Sequence, residues 1–264
     1  MANASNLVSF HAEKGIAVLE LNAPPANTYS YEMMRQLDEH ILSARMDPDV
    51  HVIVLTGRGD KFFCAGADIK MLATATPEFK YYFCLHANET LTRLEQTPKL
   101  VIAALNGHTV GGGLEVALAA DFRVARKDGG KIGFPEVALG VLPGTGGTQR
   151  LARLVSKSRA IELMVTGRLL SFEEAETIGL VNRVLDGSDF REQVLAFASE
   201  FVPPGRASRA IGRIKRAVVS GLEMSLGDGL ALERELQQQL FLSEDAREGL
   251  AAYADKRPPR FKGA

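Results

Sequence analysis

The chain has 264 residues, of which 46% are hydrophobic and 24% charged, with a formal net charge of −1. This is the balance of a soluble globular protein, long enough for one large domain or a domain with a helical appendage. Near-neutrality speaks against a dedicated nucleic-acid binder, which carries a strongly basic face. The two cysteines, Cys64 and Cys84, match neither a clustered metal spacing nor a secreted disulfide framework and read as reduced thiols. The opening M-A-N-A-S-N-L-V-S-F-H-A-E-K-G has no apolar core of signal-peptide length. No apolar run approaches the ~20 residues that span a bilayer, so the expectation is a soluble cytoplasmic protein without membrane contact.

In chain order, Leu7–Ala12 and Ile16–Leu21, separated by Glu13-Lys14-Gly15, predict a β-hairpin. Residues 31–46 place Met33, Met34, Leu37, Ile41 and Leu42 at helical spacing. V-H-V-I-V-L-T-G (50–57) predicts a buried strand ending in a glycine turn. Residues 77–97 predict a helix with Phe79, Phe83, Leu91 and Leu94 inward. L-V-I-A-A-L (100–105) and Phe122–Ala125 predict two further strands. Strands alternating with helices point to mainly parallel sheets and an α/β architecture.

Beyond Gly146 the pattern turns helical. Ser171-Phe-Glu-Glu174 is a capping-box start, and Val181–Leu185 predicts one short strand. Helices are expected over 188–202, 206–220 and 228–254, with Pro203-Pro204-Gly205 separating the first two. The expected organisation is an α/β core over residues 1–200 and a helical region over 201–264. Apolar side chains recurring along those last helices suit packing against other copies.

Four stretches carry chemistry. G-R-G-D-K-F-F-C-A-G-A-D-I-K (57–70) follows a buried strand, and Ala65, Gly66 and Ala67 let a ligand approach the backbone. It reads either as an anion-facing loop or as an ordinary tight turn. N-G-H-T-V-G-G-G-L-E (106–115) puts three glycines at the mouth of a helix, where the first N–H groups lack internal partners. Glu115 lies in the first turn of that helix. It is either a dipole-stabilising acid or a carboxylate facing the bared donors, and the first reading leaves the triple glycine unexplained. In G-F-P-E-V-A-L-G (133–140), Glu136 among apolar neighbours would be partly desolvated and suited to proton transfer, or else sits at the surface after a turn. G-V-L-P-G-T-G-G-T-Q-R (140–150) lacks the G-x-x-x-x-G-K-[ST] of a phosphate loop and reads as a close-packed turn shaping a pocket wall. The five histidines form no metal-ligand spacing, and His108 alone lies near these stretches.

Together these stretches resemble the enoyl-CoA hydratase/isomerase (crotonase) superfamily. The motifs P-P-A-N-T-Y-S-Y-E-M-M, F-C-A-G-A-D-I-K, I-A-A-L-N-G-H-T-V-G-G-G-L-E, P-E-V-A-L-G-V-L-P-G-T-G-G-T-Q-R and D-K-R-P-P-R-F-K-G fall in the family's order across essentially the whole chain. The resemblance implies a crotonase (ClpP-like) spiral of ββα units with a helical C-terminal trimerisation region, assembled as a homotrimer or as a homohexamer built from two trimers. It implies an oxyanion hole from the N–H groups of Ala67 and Gly112, and two catalytic glutamates, Glu115 and Glu136. It implies CoA binding along Ala65, Gly66, Ala67, Asp68 and Ile69, and a CoA contact from Tyr253 and Lys256 to a neighbouring subunit.

The implied activity is reversible syn addition of water to trans-2-enoyl-CoA in fatty-acid metabolism. No metal or redox cofactor is required, because coenzyme A is part of the acyl-CoA thioester substrate. Retention of both glutamates favours a hydratase. The alternatives are an enoyl-CoA isomerase, a hydratase of cyclic or dienoyl-CoA, and a catalytically inactive acyl-CoA-binding protein. Relative to the common hydratase pattern, one additional residue falls in R-K-D-G-G-K and is assigned to a surface turn at Asp128-Gly129-Gly130.

Overall fold

The computed structural model describes residues 6–264; residues 1–5, the start of the segment read above for a leader, lie outside it. In chain order its elements are β1 (Val8–Glu13), β2 (Ile16–Leu21), α1 (Tyr31–Met46), β3 (Val52–Gly57), β4 (Phe62–Cys64), α2 (Ile69–Thr74) and α3 (Pro77–Glu95). Next come β5 (Leu100–Leu105), β6 (His108–Val110), α4 (Gly112–Leu118), β7 (Phe122–Arg126), β8 (Lys131–Gly133), a 3₁₀ turn (Glu136–Leu139), α5 (Gly147–Leu154) and α6 (Lys157–Thr166). The chain continues through β9 (Leu170–Ser171), α7 (Phe172–Thr177), β10 (Arg183–Leu185), α8 (Phe190–Ser199), α9 (Ser208–Gly221), α10 (Leu226–Phe241) and α11 (Glu244–Ala254).

The strands form two sheets. Six make one sheet in the order β1-β2-β3-β5-β7-β10, antiparallel only between β1 and β2. The short strands make a second, ordered β4-β6-β8-β9, parallel except between β8 and β9. The apolar runs of β3 and β5 follow from burial on both faces. Ile53, Leu55, Val101, Ala103 and Leu105 pack into the core that also holds Met33, Leu37 and Ile41 of α1. Val52, Val54, Leu100, Ile102 and Ala104 face the other way, onto Phe190, Val194 and Phe197 of α8.

One unit recurs. A strand in the large sheet passes into a short strand of the small sheet and then into a helix or turn: β3-β4-α2, β5-β6-α4 and β7-β8 followed by the 3₁₀ turn. The crossings between sheets need their backbone groups paired, and Asn106 supplies the pairing for one. Its Oδ1 accepts from Gly57 N–H (3.0 Å) and Thr56 Oγ1 (3.2 Å), and its Nδ2 donates to the carbonyls of Gly57 (2.9 Å) and Gly59 (2.6 Å). Asn106→Ala leaves several of these buried groups without partners and is expected to cost about 2–4 kcal/mol in urea unfolding. A loss below about 1 kcal/mol would contradict that role.

The structure departs from the periodicity reading in a few places. Leu42 (37%) and Phe79 (40%) are exposed rather than inward. The helix expected over 228–254 is two, α10 and α11, because Ser243 accepts from Ala246 N–H (3.1 Å) and starts a new helix. The capping box of Ser171 and Glu174 forms with both bonds. The surface turn at Asp128-Gly129-Gly130 joins β7 to β8, with Asp128 at φ 54°. Among the described residues no helix is long and apolar enough to cross a membrane.

Candidate active site

Three neighbouring parallel strands of the small sheet end side by side. β4 runs into Ala65-Gly66-Ala67, β6 into Gly111-Gly112-Gly113, and β8 into Phe134-Pro135-Glu136. Gly111 N–H donates to Gly133 C=O (2.9 Å), which ties the second and third segments together. Strand neighbours lie ~4.8 Å apart, so groups carried just past these ends converge.

Each glycine of the triplet is required by a different neighbour. Gly111 adopts φ 58°, ψ −133°, and a Cβ there would lie 2.9 Å from Glu136 Oε1. A Cβ on Gly112 would collide with the Tyr29 hydroxyl, and one on Gly113 with the Cys64 carbonyl. The triplet thus lets a carboxylate, a phenol and a strand approach one short backbone. No side chain caps α4, and Gly112 N–H has no acceptor among the described residues. Gly66 carries φ +85°, and a Cβ on it would stand 3.1 Å from Gly112 N. Tyr29 N–H donates to Gly66 C=O (2.9 Å) and Asp68 N–H to Tyr29 C=O (3.0 Å). Residues 66 and 68 therefore bond towards Tyr29, and the intervening Ala67 N–H points the opposite way with no acceptor among the described residues. Two unspent backbone donors thus flank the Gly66–Gly112 approach.

The glutamates differ sharply. Glu115 is 2% exposed and accepts three hydrogen bonds. Its Oε1 accepts from Thr145 N–H (2.7 Å) and Gly147 N–H (2.8 Å), and Oε2 accepts from the Thr145 hydroxyl. It thereby caps α5, whose own N-cap is a glycine. Glu136 stands half-buried at the head of the 3₁₀ turn, and its Oε2 is buried without a partner. Its carboxyl is pushed up to about 7, chiefly by burial and also by the nearby Glu115 charge, against the downward pull of its own backbone N–H and of Lys80. One carboxylate is thus locked and the other is poised to hold a proton near neutral pH.

The remaining predicted positions flank Ala67 or lie at the end of α11. Ala65 N–H donates to Ala26 C=O (3.0 Å), Asp68 caps α2 by accepting from Lys70 N–H (2.8 Å), and Ile69 is 57% exposed. Tyr253, 88% exposed, and Lys256 lie at the end of α11, and among the described residues neither makes a hydrogen bond or ion pair to the site loops. His108 accepts from Lys131 N–H (3.0 Å), a structural use. Burial pushes the Cys64 thiol up to about 12, which removes it as a nucleophile. Among the described residues no group of three or more His, Cys, Asp or Glu side chains could hold a metal ion.

Thr145, Gly147 and Tyr29 are site residues that the sequence reading did not identify. The loop 140–150 is more than a wall, since it supplies every donor to Glu115. Its glycines were the available signal, by the same reasoning applied to the triplet.

The family model described as Enoyl-CoA hydratase/isomerase matches residues 11–264. A short-chain-enoyl-CoA hydratase of Clostridium acetobutylicum is 36% identical over 253 residues, 96% of each chain. A mitochondrial methylglutaconyl-CoA hydratase of Homo sapiens is 36% identical over 95% of this chain and 74% of its own. Among solved structures, an enoyl-CoA hydratase from Geobacillus kaustophilus superposes with a TM-score of 0.95 at 46% identity, covering 98% of this chain and 97% of that one.

Proposed function

The chain belongs to the enoyl-CoA hydratase/isomerase family, with the activity of an enoyl-CoA hydratase, a lyase, and we propose that it works through the loops just described. In this reading a trans-2-enoyl-CoA places its thioester oxygen between the N–H groups of Ala67 and Gly112. Negative charge builds on that oxygen as water attacks C3, and fixed donors stabilise it; one such donor contributes roughly 3–4 kcal/mol in comparable sites. Ionised Glu115 orients the water and takes its proton. Protonated Glu136 delivers a proton to C2, giving the 3-hydroxyacyl-CoA. The pair is reset by moving one proton from Glu115 back to Glu136 through solvent. The observation that carries this reading is the contrast between a Glu115 held by three hydrogen bonds and a partly buried Glu136 with an orphan oxygen.

We further propose that the A-G-A-D-I segment, Ala65 to Ile69, lines the CoA and that Tyr253 and Lys256 contact CoA on a neighbouring subunit. The helical region 201–264 is proposed to mediate assembly into trimers or hexamers; the exposed apolar side chains Ile214, Val218, Leu222 and Leu226 support it. CoA enters as part of the substrate.

The test is loss of the conjugated enoyl-CoA absorbance with the product identified by mass, run across acyl chain lengths. Gain of one water establishes hydration, and an isomeric product of unchanged mass would overturn it. The same assay carries a pH prediction. Working turnover needs one proton on the pair in either direction, hydration or dehydration. With the Glu136 carboxyl near 7, kcat/KM should fall in both directions as pH rises through about 7. Profiles flat from pH 6 to 9 would contradict the role of Glu136.

A further inference from the structure

Behind Glu115 lies a buried chain of hydroxyls that the reaction steps do not use. Tyr29 is 3% exposed and Thr145 2%, and their oxygens lie 3.2 Å apart. Among the described residues, no other hydrogen-bond partner is found for the Tyr29 hydroxyl. Thr145 Oγ1 also contacts Glu115 Oε2, and Thr145 N–H and Gly147 N–H both reach Oε1.

Proton counting orders the chain. An ionised carboxylate only accepts, so the single proton of the Thr145 hydroxyl points to Oε2. The contact with Tyr29 then requires the Tyr29 O–H to donate to Thr145. Burial and the nearby Glu115 charge push that phenol well above its ordinary value, so it keeps the proton it donates. Two backbone donors fill the lone pairs of Oε1, whereas Oε2 receives one donor and keeps one lone pair free.

We propose that Thr145, oriented by Tyr29, is a positioning residue for Glu115: the hydroxyl chain makes Oε2 the oxygen that takes the water's proton and holds it aimed at that water. The proposal rests on Glu115 acting as the base. In the step itself, a lone pair of the water oxygen forms the bond to C3. One water O–H bond breaks, its electrons stay on oxygen, and its proton goes to Oε2. A flipped Tyr29 O–H would find no acceptor among the described residues, so the Thr145 hydroxyl stays directed at Oε2. The titratable groups packed around the hydroxyl chain are Cys64 and Cys84 beside Tyr29, and Glu136, with Lys80 facing Glu136.

The test uses the full-length enzyme with trans-2-enoyl-CoA. Thr145→Val keeps the shape and removes the hydroxyl. It should lower kcat about tenfold to a hundredfold, the range for a hydrogen bond to a charged group, with KM within about twofold. The acid limb of the pH profile should move to higher pH. Thr145→Ser should restore both, and Tyr29→Phe should shift them in the same direction by less. Unchanged kcat and acid limb in Thr145→Val would overturn the proposal. So would a loss confined to KM, or a loss that Thr145→Ser fails to repair. If Thr145→Val does not fold, the acid limb of Tyr29→Phe decides the matter, and an unmoved limb overturns the proposal. Glu115→Gln separates the two levels. Full turnover in Glu115→Gln sinks the assigned base itself, whereas an inactive Glu115→Gln beside a fully active Thr145→Val sinks only the positioning role.

Discussion

Glu136→Gln is expected to lower hydration by about 10²–10⁴-fold and, above neutral pH, to make the protein more stable. The two effects share a cause. In the folded protein the Glu136 carboxyl lies near 7, against an ordinary 4.5, because burial disfavours its charge. A raised carboxyl contributes stability that is fully present below its unfolded value and is lost as pH rises through its folded value. Above about pH 7 the folded parent therefore carries a costly charge that glutamine lacks. Partial exposure reduces the full shift, leaving about 1–2 kcal/mol. Urea unfolding at pH 4 should give parent and variant nearly equal stabilities, and at pH 8.5 the variant should be ahead. Near-parent turnover would overturn the catalytic role, and a variant less stable at pH 8.5 would overturn the account of the charge.

Gly66→Ala is expected to remove turnover while leaving the fold intact. Its methyl would stand 3.1 Å from Gly112 N, within the range an accepting oxygen needs. Crowding that donor should cost about 10²–10³-fold in kcat. The left-handed φ of +85° adds about 1–2 kcal/mol of backbone strain. Gly59 provides the control, since it has φ +81° and a Cβ placed on it would meet no atom within 4 Å. Gly59→Ala should carry similar strain and keep its activity. Equal activity in the two variants would show that the space in front of Gly112 does not matter.

Much of this architecture was legible in the residues because its larger elements carry a clear apolar pattern or a local cap. The apolar runs at 52–57 and 100–105 become strands buried on both faces, as their lack of alternation implies. Ser171 and Glu174 announce α7 through side-chain chemistry that is local in sequence. The small sheet was not legible. β4, β6 and β8 have three residues each, too few to display any period. Ser243 was missed because apolar spacing continues across it, and only its capping bond marks the break. The glycine triplet pointed to bare donors but not to its neighbours. Tyr29 lies 83 residues before Gly112 in the chain, and the Thr145–Glu115 bond spans 30 residues. Such pairings are products of the spiral and leave no mark on either local stretch.

The repeated unit works like a comb of fixed pitch. Ala67, Gly112 and Glu136 hang from three consecutive teeth, so backbone pairing between β4, β6 and β8 sets their separation, independent of connection length. The Asp128–Gly130 turn enters at the root of the third tooth, opposite its tip. Length can therefore be added or removed at the roots without changing where the tips point. What a tip carries can change without disturbing the pitch: on the proposed mechanism, replacing the carboxylate past β8 would alter the chemistry while both amide donors stayed in place.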